Sequence, residues 1–114
     1  MSDPGLMLVA ELHGLVGRQS ELRELLDALA DGAREEPGCA SFRVLAAEEP
    51  GEWVLLASWS DEEALRAHFR TGHYRGYRDA VGPLLARPSD VVVHRLGGTV
   101  HALDPNPPDP GMLG

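Results

Sequence analysis

The segment Trp53-Val54-Leu55-Leu56-Ala57-Ser58-Trp59 restricts the fold more than any other part of the chain. It lies between Glu49-Pro50-Gly51-Glu52, a turn by composition, and the polar run Ser60-Asp61-Glu62-Glu63, so it reads as a strand. Successive side chains of a strand point to opposite faces. Here both sets are apolar, the pattern of a strand covered on both sides. Cys39 to Ala47 precedes the turn and alternates, with Ala40, Phe42 and Val44 on one side and Ser41 and Arg43 on the other. The two segments form a hairpin.

The flanking patterns complete the order. Leu6 to Leu12 is a short apolar run between glycines and reads as a strand. Leu22, Leu25, Leu26, Leu29, Ala30 and Ala33 recur at helical spacing and predict an amphipathic helix over about 19–35. Glu36-Pro37-Gly38 stops it, because the residue before proline is driven out of the helical region. Ser60 and Glu63 have the spacing of a capping box and predict a short helix running to about Arg70. Thr71-Gly72 breaks that helix, and a second carries Tyr74, Tyr77, Val81, Leu84 and Leu85 on one stripe. Pro88 ends this region, and Val91 to Leu96 is a final β-branched strand. Strand, helix, strand, strand, helix pair, strand is the ferredoxin-like βαββαβ order of an α+β sandwich, with the helices on one face of an antiparallel sheet. Nothing within one chain then covers the second face of the Trp53–Trp59 strand. A second copy packed sheet to sheet supplies the cover, so a homodimer is expected.

The ordered domain is expected over 6–103. Residues 104–114 hold four of the nine prolines and read as a flexible tail. Eighteen acidic and ten basic residues give a formal charge of -8, which leaves no basic stripe for phosphate backbones and disfavours anionic membrane surfaces. Cys39 is the single cysteine, so an intrachain disulfide or a cysteine-rich zinc site is excluded. The N-terminal residues carry no basic region and apolar run of a signal peptide, and no apolar stretch reaches the ~18 residues of a membrane span, so a cytoplasmic protein is expected.

Three pieces, in this order and spacing, carry a resemblance: Glu36-Pro37-Gly38-Cys39, Leu56-Ala57-Ser58-Trp59-Ser60, and Ala64-Leu65-Arg66-Ala67-His68-Phe69 leading into Thr71-Gly72-His73-Tyr74. Together they resemble the antibiotic biosynthesis monooxygenase family of dimeric α+β barrel proteins across about residues 6–97. The resemblance implies a homodimer with one cavity per subunit between sheet and helices. It also implies oxidation of quinols, anthrones or related polyphenols by molecular oxygen with no metal or organic cofactor. Some relatives degrade haem, using an asparagine, a tryptophan and an iron-binding histidine. Those roles fall here at Ala10, His68 and Arg78, none of which matches. The polyketide-oxidising branch uses a tryptophan that matches Trp59, whereas its asparagine and tyrosine positions hold Leu55 and Leu65.

The residues themselves suggest roles. His68 projects from the apolar stripe of its helix and suits a general base, since an imidazole titrates near working pH; a core histidine bonded to a backbone carbonyl is the plainer reading. Trp59 can stack on an aromatic ring and donate one hydrogen bond, or simply pack. Tyr74 and Tyr77 face the sheet and can orient a quinol oxygen, or fill the core. His73 and His13 can line a cavity mouth or stand exposed, and Arg75 and Arg78 can hold a phenolate or be ordinary solvated arginines. No metal site is expected, because His68 and His73 are five apart and one helix face offers ligands three or four apart. No phosphate-binding loop or nucleophile elbow occurs. The leading reading is a cofactor-independent monooxygenase with His68 and Trp59 catalytic and Tyr74, Tyr77, His73 and Arg78 holding a small aromatic. A non-catalytic dimer that binds such a molecule or serves as an accessory subunit of a metabolic pathway, or an isomerase or cyclase working without oxygen, are the alternatives.

Overall fold

The computed structural model describes residues 4–96; the expected boundary at 103 and the proline-rich tail lie outside the described residues. The elements run β1 (Leu6–Gly14), α1 (Gln19–Arg34), β2 (Cys39–Ala46), β3 (Glu52–Trp59), α2 (Glu62–Phe69), α3 (Gly72–Val81), a 3-10 turn at Gly82–Leu84, and β4 (Leu85–Arg95). One antiparallel sheet in the order β2-β3-β1-β4 is formed, with the helices packed on one face. This is the ferredoxin-like α+β sandwich that the strand and helix pattern predicts. No described helix is long and apolar enough to cross a membrane.

Strand register decides which side chains meet the helices. Leu8 pairs with Ala57 and Val93, Ala10 with Leu55 and Val91, and Phe42 with Ala57, so all of these share one face. Leu22, Leu26, Leu29, Ala30 and Ala33 of α1 are buried against that face. Each fully buried leucine contributes about 1.5–3 kcal/mol relative to exposure, which is why the helix stripe fixes the layer. On the opposite face Val9 lies between Leu56 and Val92. There Val9, Val54 and Leu56 are only half-buried and Val92 is 52% exposed. The two faces of β3 therefore differ: Leu55, Ala57 and Trp59 are buried on the inner one, while Val54 and Leu56 on the outer one are only half-buried.

Two expectations about element ends are corrected. Asp61, not Ser60, caps α2: its carboxylate accepts from the Ala64 N–H at 2.8 Å. Ser60 instead donates its backbone N–H to the Gly38 carbonyl, stitching the end of β3 to the α1–β2 loop. The last strand begins at Leu85, six residues before Val91, and contains Pro88. Proline is tolerated there because β4 pairs only with β1, at the sheet edge, and the register shifts between Glu11 and His13 opposite it.

Candidate active site

A cavity of about 240 Å³ lies between the sheet and the helices. Its floor is the helix-facing row of the strands, among them Ala10, Phe42, Leu55 and Trp59. Leu29, His68, Phe69, Tyr74 and Tyr77 reach it from the helices, and Ser89 and Val91 from β4. Helix spacing explains the convergence. Leu65 and His68 are the buried residues of α2, three apart on its inner stripe. Tyr74 and Tyr77 repeat that spacing on α3, whose start is held by Thr71: its hydroxyl accepts from the Tyr74 N–H and donates to the His68 carbonyl at 2.7 Å.

His68 is the histidine that lines the cavity. It is 3% exposed, with its ring 4.5 Å from Trp59 and 5.2 Å, edge-on, from Tyr74. Its Nδ1 donates to Glu36 Oε2 at 2.7 Å, so the ring's remaining basic atom is Nε2, which has no hydrogen-bond partner among the described residues. Burial pushes its pKa below the ordinary imidazole value, the Glu36 carboxylate pulls it partly back, and His73 lowers it further. The result is a neutral imidazole in one tautomer, the form a general base needs. Burial, with a smaller push from Tyr74, drives the Tyr77 hydroxyl up to about 12, which keeps it a neutral donor. The Trp59 indole N–H is buried and has no acceptor among the described residues. A buried donor left unpaired costs about 1–3 kcal/mol, and the Trp53 N–H, outside the cavity lining, is in the same state.

The structure brings Trp59, His68, Tyr74 and Tyr77 to one cavity and leaves the other expected residues outside it. His73 does not line it; its Nε2 reaches the same Glu36 oxygen at 2.6 Å. Arg78 points to solvent and pairs with Asp79, so it is not placed to hold an anion in the cavity, and Arg75 is exposed. His13 sits at the far end of the sheet, bonded to Glu52 and Asp90, and the Asp90 carboxylate raises its pKa. Cys39 is half-buried, with its thiol raised by burial and by nearby Glu36, so it is a poor thiolate.

Glu36 is the residue that sequence reasoning missed. It reads as part of a helix stop, and only the fold carries its side chain to two histidines 32 and 37 positions away. The five-residue spacing of His68 and His73 excludes a shared partner only if one helix carries both. Here α2 ends at Phe69 and α3 starts at Gly72, so the two rings converge. The donor atoms of Glu36, His68 and His73 lie within 4.8 Å of one another, as do those of Glu11, His13 and Asp90. In the first group the contacts are direct hydrogen bonds of 2.6 and 2.7 Å. A divalent ion with ligands at roughly 2.0–2.2 Å would need the donors further apart. The arrangement is a carboxylate bridging two imidazoles.

A one-faced α+β sandwich with an apolar cavity lined by an imidazole, an indole and two phenols is a fold class shared by many small proteins, and the comparisons narrow it. The family described as antibiotic biosynthesis monooxygenase matches residues 5–80. The chain belongs to the antibiotic biosynthesis monooxygenase family. "Putative monooxygenase Rv0793" of Mycobacterium tuberculosis is 41% identical over 75 residues, 66% of this chain and 74% of that protein. "Putative monooxygenase YcnE" of Bacillus subtilis is 32% identical over 78 residues, 66% of this chain and 80% of its own. The solved structure of Rv0793 superposes with a TM-score of 0.77 at 35% identity, covering 86% of this chain and 98% of that one. Family and names support a monooxygenase-type, oxidoreductase function.

Proposed function

We propose that this protein is a homodimeric monooxygenase that oxidises a small electron-rich aromatic, of quinol or polyphenol type, with molecular oxygen and without a metal or organic cofactor. The observation that carries the reading is a neutral His68, its Nδ1 bonded to Glu36, packed beside the Trp59 ring in one apolar cavity. His68 Nε2 takes the proton of an acidic O–H or C–H of the substrate. The resulting anion gives one electron to oxygen, and the two radicals combine to a peroxide. Loss of water leaves a substrate that has given up two hydrogens and gained one oxygen atom, so no external reductant is consumed. Trp59 and Tyr77 are donors to substrate oxygens, and Tyr74 is a wall. A cavity of about 240 Å³ suits one or two fused rings with few substituents. The apolar walls favour the radical pair by keeping water out. The half-exposed outer face of the sheet supports the homodimer.

The test is oxygen uptake by chelator-treated protein with hydroquinones, naphthoquinols and anthrones, corrected for autoxidation. Catalysed uptake is expected, falling about 10²–10⁴-fold in His68→Ala. A loss below about tenfold in a folded variant removes His68 from the mechanism. Ligand-dependent melting shifts with no uptake across the panel replace the enzyme by a binding protein, and turnover under anaerobic conditions replaces it by an isomerase or cyclase.

A further inference from the structure

Oε2 of Glu36 accepts from two rings at once, His68 Nδ1 at 2.7 Å and His73 Nε2 at 2.6 Å. The ring centroids are 5.9 Å apart. The two rings differ in their surroundings: the His68 side chain is 3% exposed and lines the cavity, whereas that of His73 is 31% exposed and does not. Glu36 itself is 12% exposed. Since both inner nitrogens donate to the carboxylate, each ring has only its outer nitrogen free to exchange a proton. For His68 that atom is Nε2, and for His73 it is Nδ1. One carboxylate charge neutralises one imidazolium, and a second imidazolium at this distance is repelled.

We propose that Glu36, His68 and His73 act as one proton-exchange unit, in which a proton accepted from a cavity ligand at His68 is matched by a proton released to water from His73. The proposal rests on His68 as the base of the cavity and adds two residues that touch no ligand. Its balance is simple. With the positive charge on His73, the ligand O–H bond breaks and an N–H bond forms at His68 Nε2, leaving the ligand as its anion. The His73 Nδ1–H bond then breaks and its proton passes to water. The three side chains carry the same total charge before and after, no electron moves, and Glu36 stays a carboxylate throughout. His68 is thereby held cationic beside the new anion without adding net charge to the triad.

Among the described residues, few other ionisable groups face the unit. Tyr74 and Tyr77 approach His68 from α3, and Cys39 approaches Glu36 from β2. Tyr77 and Cys39 are both raised by burial and remain neutral. The other rings around His68 are Phe42, Trp59 and Phe69. Glu36 and His73 are therefore the charges that set the titration of His68, with opposite signs.

The test is imidazole nitrogen NMR of the full chain from about pH 4 to about pH 9, on wild type, Glu36→Gln and His73→Gln. It needs no substrate, so its outcome is separate from that of the oxygen-uptake assay. In the wild type, neutral His68 is expected as the Nδ1–H tautomer. Its midpoint should fall in Glu36→Gln and rise in His73→Gln, each by at least about half a pH unit. A network that merely braces the helices moves the midpoint in one direction or not at all. A neutral His68 in the Nε2–H tautomer overturns the proposal. So does a midpoint that stays within about 0.2 units in His73→Gln. That variant alters a partly exposed side chain and keeps the test decisive if Glu36→Gln fails to fold.

Discussion

At the scale of single residues, Trp59 combines aromatic packing with an unpartnered donor. Its ring is fully buried against His68, yet its N–H has no acceptor among the described residues. Trp59→Phe retains most of the aromatic packing and removes the donor. A phenolic ligand held through that donor should bind roughly 2–12-fold more weakly, the equivalent of ~0.5–1.5 kcal/mol. Calorimetric titration with 1-naphthol is the measurement, and equal affinity in both proteins would mean that the indole only packs. The sequence makes Trp59, His68, Tyr74 and Tyr77 legible because strand alternation and helix spacing are local. Arg78 shows the limit of that reading: spacing places it beside the stripe of α3, and in the fold its side chain is exposed, beside Asp79.

At the scale of elements, the α1–β2 loop is decisive, because it delivers Glu36. Gly38 lets that loop lie against α2: a Cβ at 38 would stand 2.3 Å from the Ala64 Cβ. Gly38→Ala forces the loop and helix apart and should destabilise the fold by roughly 1–3 kcal/mol. Thermal unfolding measures this, and the same variant should loosen the hydrogen bond from His68 to Glu36. Gly76→Ala is the control. It adds a Cβ on the open side of α3, with nothing within 4 Å, and should be neutral or stabilising by about 0.5–1 kcal/mol. If both alanines melt alike, the close approach of loop and helix is unimportant. The β2–β3 hairpin was legible from Glu49-Pro50-Gly51-Glu52, and Gly51 takes a φ of 83°, the left-handed region that glycine adopts at low cost. The start of β4 was not legible, because proline reads locally as a strand breaker, whereas its tolerance depends on which strand is at the edge.

At the scale of the whole molecule, the described residues cover one face of the sheet only. Val9, Leu56 and Val92 share a row on the other, where Val9 and Leu56 are half-buried and Val92 is 52% exposed. An apolar sheet face of this kind associates when a matching face is available, and a second copy supplies one. Light scattering should give about twice the 12.3 kDa chain mass, and Leu56→Glu, which places a charge in the middle of the row, should give the single-chain mass. A wild-type mass of one chain would refute the dimer.

The sequence by itself determined the order of elements and the helix-stripe residues that meet over the sheet. These follow from periodicities of two and 3.6 residues, which act between near neighbours. The tertiary structure decided which polar groups share a site. His68, His73 and Glu36 lie on three separate segments, and no local rule relates a carboxylate at a helix stop to imidazoles more than thirty positions later. Burial then chose the charge states: the same histidine that titrates near neutrality in an open chain is held neutral when packed between Trp59 and Tyr74. Desolvation and partner geometry are properties of the packed chain, and they appear only once the helices close over the sheet.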